Sequence, residues 1–224
     1  MLPIEQKAMN PAILDRIDKS GLIAVLVIDE LKHAVPLANA LLEGGVTNIE
    51  LTLRTSAALK SVEAIKKNCP GINLGIGTVL TIEQVKAVAD LGVDFAVAPG
   101  CNPKIIEAAQ KYGLSFAPGI STASELERAI ELGCRVLKFF PAEQFGGLNY
   151  LKSMTAPYQY LGLKFIPLGG LNISNVKEYI ASNLITAIGG SWIAKRSLIQ
   201  DERWIDITEN AKKITTLIND VRKR

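Results

Sequence analysis

The chain has 224 residues, 48% of them hydrophobic and 21% charged, with a formal net charge of +3 and one histidine. A chain of this length buries roughly 70% of the surface it exposes when unfolded, so it needs neither disulfides nor a metal to hold a core. A lone imidazole removes zinc sites built on two or three histidines and leaves any Ser-His-Asp hydrolase resting on His33 alone.

The N-terminal stretch Met1 to Asn10 has no apolar segment of the signal-peptide kind, and the longest clear apolar run, Leu22 to Ile28, is far too short to span a bilayer. Asn10-Pro11 reads as an N-cap and first helical position, so a leading helix is expected before the first strand, Leu22–Val27. His33 lies in the first turn of the next helix, before Pro36, and is expected at the surface. From there one pattern repeats: an amphipathic helix, a glycine, a short apolar strand. Gly45, Gly71, Gly92, Gly113 and Gly133 open five strands at intervals of about 20–26 residues, the period of a βα unit with glycine as helix C-cap. The further strands are predicted at Asn48–Leu53, Asn73–Gly77, Phe95–Ala98, Ser115–Ala117, Val136–Phe140, Phe165–Leu168 and Ile185–Ile188. Thr81 with Gln84, and Thr122 with Glu125, have the spacing of capping boxes at two helix starts.

Eight strands alternating with helices point to parallel βαβ units, closed as a barrel or open as a doubly wound sheet. The count of eight favours the barrel, as do glycine pairs that come late in the chain. A dinucleotide-binding sheet would place G-x-G-x-x-G after the first strand, where this chain has Ile28-Asp29-Glu30. The expectation is one (β/α)8-barrel domain over residues 1–224, with a leading helix. Cys69, Cys101 and Cys134 are odd in number, widely spaced and without metal-ligand spacing, which suits reduced thiols in a cytoplasm. The terminal Arg222-Lys223-Arg224 reads as a solvated tail, so neither a nucleic acid nor a membrane is expected as a partner.

Strand two carries the densest chemistry. Side chains alternate between faces, so Ile49, Leu51 and Leu53 share one face and Asn48, Glu50, Thr52 and Arg54 the other. An antiparallel sheet could solvate that polar face. A parallel barrel covers both faces, and a carboxylate or guanidinium turned inward is costly unless it pairs or works. Strand six, Val136-Leu137-Lys138-Phe139-Phe140, flanks a lysine with large apolar residues. Lys138 could snorkel to water from the strand end. Alternatively it is an amine kept partly neutral by burial and by a nearby cation such as Arg54, able to attack a ketone. Gly169-Gly170 follows strand seven, and Gly189-Gly190-Ser191 follows strand eight, the two loops where barrels often bind phosphate. Thr78, after Gly75-Ile76-Gly77, is the hydroxyl expected at the mouth.

Several stretches resemble the family of 2-keto-3-deoxy-6-phosphogluconate (KDPG) aldolases and 4-hydroxy-2-oxoglutarate aldolases. They are Gly44-Gly45-Val46, Glu50-Leu51-Thr52-Leu53-Arg54-Thr55, Gly77-Thr78-Val79-Leu80, Pro118-Gly119-Ile120-Ser121-Thr122, Lys138-Phe139-Phe140-Pro141-Ala142-Glu143 and Gly189-Gly190-Ser191-Trp192. The likeness runs in order over nearly the whole chain, and the lysine motif is its most specific part. It implies a class I aldolase without cofactor or metal, usually a homotrimer, acting on a phosphorylated keto-deoxy sugar acid. By that likeness Lys138 forms the Schiff base and Glu50 is the acid/base. Arg54 and Thr78 hold the pyruvate carboxylate, and Gly169, Gly170, Gly190 and Ser191 hold the phosphate. Two positions depart from the family pattern: Leu168 stands where a threonine is common, and Ala24 where a proline is. The first leaves the sugar acid open between the gluco-configured phosphate, its galacto epimer and 4-hydroxy-2-oxoglutarate. Other phosphate-binding barrels, such as an isomerase or synthase of thiamine or tryptophan biosynthesis, or a non-catalytic phosphometabolite-binding barrel, would use the glycine pairs without needing Glu50 and Lys138.

Overall fold

The Asn10 side chain accepts the Ala12 N–H and Pro11 takes the first position, so helix α1 (Pro11–Ser20) starts where local chemistry sets it. It ends on Gly21 in the left-handed region (φ 67°), which turns the chain into β1 (Leu22–Leu26). The computed structural model describes residues 9–222. The signal-peptide reading of the first residues and the last two residues of the basic tail therefore fall outside the described part. Arg222 itself is tethered: its guanidinium donates to the carbonyls of Asp18 and Thr186, the latter at 2.8 Å.

Helices and strands then alternate as α2 (Ala34–Glu43), β2 (Asn48–Thr52), α3 (Ala58–Asn68), β3 (Asn73–Gly77), α4 (Ile82–Asp90), β4 (Phe95–Val97) and α5 (Pro103–Lys111). The fifth stave comes as two short pieces, β5 (Phe116–Ala117) and β6 (Gly119–Ile120), parted at Pro118, which has no N–H to give a ladder. There follow α6 (Ala123–Glu131), β7 (Val136–Phe139), α7 (Gly147–Thr155), β8 (Lys164–Pro167), α8 (Val176–Ile180), β9 (Ile188–Gly190), α9 (Arg196–Gln200) and α10 (Trp204–Arg222). All strand pairs are parallel, in the orders β5-β4-β3-β2-β1-β9 and β6-β7-β8. The ring closes between β8 and the segment before β9, where Phe165 N–H donates to Leu184 and Thr186 N–H to Phe165. The result is the expected (β/α)8 barrel.

Alternation along the strands builds two cores. Ile49 and Leu51 of β2 join the layer between strands and helices, while Asn48, Glu50 and Thr52 turn inward, each at most 3% exposed. Inside the barrel lie Ile23, Val25, Phe95, Val97, Val136 and Ile166, and α1 closes that core by contributing Ile17, Ile13 and Leu14. Asn48 satisfies its buried amide on the Leu22 carbonyl (3.1 Å) and accepts from Asn73 Nδ2 (2.7 Å).

Both capping boxes form, at Thr81 with Gln84 and at Thr122 with Glu125. Four of the five strand-opening glycines take the left-handed conformation; Gly71 does not. Helix α3 ends at Cys69 (φ −129°), because Pro70 drives the residue before it out of the helical region. His33 is not at the surface but 1% exposed. Its ring lies 5.9 Å from Trp204 at the start of α10, and Nε2 lies 3.3 Å from Glu202. Strand eight pairs with β1 over Ile188–Gly190, later than predicted, with Ile185 contributing a single bridge. Among the described residues no helix is long and apolar enough to cross a membrane.

Candidate active site

The C-terminal ends of the strands converge on one pocket of about 240 Å³, the size of a small metabolite rather than a polymer segment. At its base are two buried charged groups, Glu50 from β2 (2% exposed) and Lys138 from β7 (6% exposed). Lys138 Nζ donates to Glu50 Oε1 at 3.0 Å and approaches Oε2 at 3.3 Å, a contact between residues 88 apart in sequence. Gly77 of β3 makes room for that carboxylate: a Cβ there would lie 2.0 Å from Glu50 Oε1. The ammonium also sits 5.6 Å from the centre of the Phe140 ring, within cation–π reach. A buried ion pair is weak evidence for stability, since desolvation offsets most of its attraction. Chemically it is an amine with a proton acceptor in direct contact.

The sequence suggested Arg54 as a nearby cation; it lines the same pocket, and the group hydrogen-bonded to the amine is Glu50. Arg54 lies just past the end of β2, lining the pocket, with its Nε donating to Thr52 Oγ1 at 3.1 Å. Thr52 in turn donates to the Leu26 carbonyl at 3.0 Å. Thr78 lines the same pocket with φ 65°, a left-handed backbone that a β-branched residue rarely adopts. Such strain tends to cluster at functional sites.

The rest of the wall comes from the loops after β8 and β9. Gly169, Gly170, Leu171, Gly189 and Ser191 all line the pocket. Gly190 is held in β9 opposite Ala24 and is not among the lining residues. The N–H groups of Gly170, Leu171 and Ser191 find no hydrogen-bond acceptor among the described residues. These amides belong to loops: α8 starts only at Val176 and α9 at Arg196, so the glycine pairs do not lead directly into helix N-termini. Apolar contacts complete the pocket through Val25, Pro99, Phe140 and Leu168. The Leu168 side chain belongs to the inner core and packs over Gly189, where an added Cβ would fall 2.2 Å from Leu168 Cγ.

The pocket thus gathers Lys138, Glu50, Arg54, Thr78, Gly169, Gly170 and Ser191 from the residues singled out in sequence. Thr52 shares the Glu50 face of β2, so the same alternation could have nominated it. Nothing in the local sequence distinguishes Leu171 or Pro99. The cysteines do not compete as nucleophiles: burial raises all three thiols above their ordinary value, Cys134 to about 12. Among the described residues no group of three His, Cys, Asp or Glu side chains is placed to hold a metal ion.

The family model described as "KDPG and KHG aldolase" matches residues 13–210. The chain is 40% identical over 198 residues to the 2-dehydro-3-deoxy-phosphogluconate aldolase of Pseudoalteromonas atlantica, covering 88% of this chain and 91% of that one. It is 39% identical over 181 residues to the enzyme of the same name from Treponema pallidum, covering 81% and 85%. A crystal structure of KDPG aldolase from Legionella pneumophila superposes with a TM-score of 0.85 at 36% identity, covering 89% of this chain and 96% of that one. In that crystal, pyruvate is captured as a covalent carbinolamine intermediate.

Proposed function

Because the chain belongs to the KDPG and KHG aldolase family, we propose that it cleaves 2-keto-3-deoxy-6-phosphogluconate to pyruvate and glyceraldehyde 3-phosphate through a Schiff base on Lys138. The observation that carries this reading is the buried Lys138 amine, 3.0 Å from the Glu50 carboxylate at the base of a small-molecule pocket. Lys138 Nζ adds to the C2 ketone, and loss of water leaves an iminium. Glu50, directly or through a water, takes the proton from the C4 hydroxyl. The C3–C4 bond breaks, its electron pair entering the iminium, and glyceraldehyde 3-phosphate departs. The resulting enamine is protonated at C3, and water then releases pyruvate from Lys138. Arg54 and Thr78, at the rim, hold the carboxylate, which aligns C2 with the amine. The phosphate falls to the Gly169-Gly170 loop and to Ser191 just past Gly190, where the free amides of Gly170, Leu171 and Ser191 suit an anion. Incubation with the gluco-configured substrate should release pyruvate and glyceraldehyde 3-phosphate in equal amounts. A phosphometabolite-binding barrel would bind the substrate and release neither. We place the protein in the cytoplasm as a homotrimer of single barrel domains spanning residues 1–224, on the family likeness and the reduced-thiol pattern.

In this course the iminium performs the task that a Lewis acid would perform in a metal-dependent aldolase. Among the described residues the only carboxylate lining the pocket, Glu50, already pairs with Lys138, and no imidazole lines it. Dialysis against EDTA should therefore leave turnover unchanged; a full loss restored by a divalent ion would contradict the Schiff-base course.

Leu168 bears on which epimer is preferred. The family commonly places a threonine hydroxyl there, and this leucine presents an apolar wall in the pocket. One substrate hydroxyl or phosphate oxygen thereby loses a partner, at a cost of about 0.5–1.5 kcal/mol, or up to ~3 for a charged group. That is enough to erase a preference at C4 and too little to abolish phosphate binding. The gluco- and galacto-configured phosphates should have comparable kcat/KM, and Leu168→Thr should shift the ratio towards the gluco epimer. A strong gluco preference in the natural protein, unmoved by the threonine, would make Leu168 barrel packing only.

A further inference from the structure

The turn that closes the phosphate end of the pocket is held from behind by a residue that does not line it. The carbonyls of Leu168, Gly169 and Gly170 are all taken. Ala142 N–H donates to the first at 2.7 Å and Glu143 N–H to the second at 3.1 Å; the third takes Asn175 Nδ2 at 3.1 Å and, more weakly, Asn172 Nδ2 at 3.4 Å. Among the described residues no acceptor takes the amides of Gly170 and Leu171. In a trans peptide the carbonyl and the next N–H point in opposite directions. Fixing the Gly169 carbonyl on Glu143 therefore aims the Gly170 N–H the other way, and fixing the Gly170 carbonyl on Asn175 does the same for the Leu171 N–H. Both residues line the pocket.

Glu143 governs both constraints. Its backbone N–H makes the first. Its side chain makes the second, because Glu143 Oε2 accepts from the same Asn175 Nδ2 at 3.2 Å. Oε1 accepts from the Tyr179 hydroxyl of α8, a residue only 3% exposed, and burial followed by this bond raises the phenol well above its ordinary value. Gly170 allows the close fit (φ 78°), since a Cβ there would lie 2.5 Å from Glu143 Cβ. Glu143 also stands five residues beyond Lys138 on the same chain segment, so one short stretch carries the amine and braces the anion loop.

We propose that Glu143, acting through Asn175 and the Gly169 carbonyl, is a positioning residue that presents the Gly170 and Leu171 N–H groups to the substrate's phosphate. The proposal rests on the aldolase reading above. Glu143→Ala is expected to raise KM for the phosphorylated substrate about tenfold, with kcat changed less than about twofold. The pyruvate concentration that half-saturates borohydride trapping should not move, because pyruvate carries no phosphate. Asn175→Ala should reproduce the split, and it carries the test if Glu143→Ala does not fold. Glu143→Gln should recover much of the affinity, since its amide oxygen can still accept one of the two bonds. An unchanged KM in the alanine variants, or a half-saturating pyruvate concentration that rises by the same factor, would overturn the proposal. Absence of any pyruvate adduct in the natural protein would instead overturn the aldolase reading, so the two failures are separable.

Discussion

Lys138→Met is expected to abolish cleavage, by on the order of 10⁵-fold or more, and with it all covalent capture of pyruvate. The natural protein, incubated with pyruvate and borohydride, should gain one reduced pyruvyl group, and peptide mapping should place it on Lys138. The argument is one of geometry. Lys138 is 6% exposed, turned into the barrel from β7, and its amine contacts the pocket that also contains Arg54 and Thr78. An attacking amine must first shed a proton, and the acceptor in contact is Glu50 Oε1 at 3.0 Å. Methionine keeps an unbranched apolar stem at this inward position of β7 and removes the nucleophile. It also leaves the Glu50 carboxylate buried without its partner, a loss that costs about 3–5 kcal/mol when a buried pair is broken. The double variant Lys138→Met with Glu50→Gln removes that charge as well, so a folded, inactive double variant separates lost chemistry from lost stability. An adduct on a different lysine would sink the assignment of Lys138.

Local chemistry made much of the barrel legible. Asn10-Pro11 sets the start of α1, and the Thr81 and Thr122 boxes set two helix starts, because each depends on residues within a few positions. The alternation in β2 told which side chains turn inward, since a strand's two faces follow from its period alone. The resemblance carried by the lysine motif led to the right family. What stayed hidden depends on distant partners. His33 is buried because Glu202 and Trp204 arrive from the far end of the chain. The pairing of Lys138 with Glu50 joins strands 88 residues apart, and nothing local predicts which charged group the amine meets. Register decided that Gly189 rather than Gly190 lines the pocket, and a shift of one residue in a strand exchanges its faces. Two differences follow from single prolines in the sequence: Pro70 ends α3 before Gly71 can cap it, and Pro118 splits the fifth stave.

Glu50→Gln is expected to lower turnover by roughly 10²–10⁴-fold, the usual worth of a positioned general acid/base, while pyruvate is still captured on Lys138 at long incubation. Glutamine has the shape of glutamate, so it fits the slot that Gly77 leaves open, and the barrel around it need not move. The change removes an acceptor that can gain and lose a proton. In the native site that acceptor touches the amine through both oxygens, at 3.0 and 3.3 Å, and is 2% exposed, so bulk water is a poor substitute. Two proton transfers are therefore affected: from the lysine before attack, and from the C4 hydroxyl during cleavage. The first can proceed slowly through solvent, which is why labelling survives. The second coincides with breaking the C3–C4 bond and cannot wait, which is why turnover falls, by the equivalent of ~3–5 kcal/mol in the barrier. The KM for the substrate should change far less than kcat, because Arg54, Thr78 and the loop amides are untouched. Turnover equal to that of the natural protein would remove Glu50 from the mechanism. Loss of labelling together with turnover would recast it as a group needed to form the Schiff base rather than to break the carbon–carbon bond.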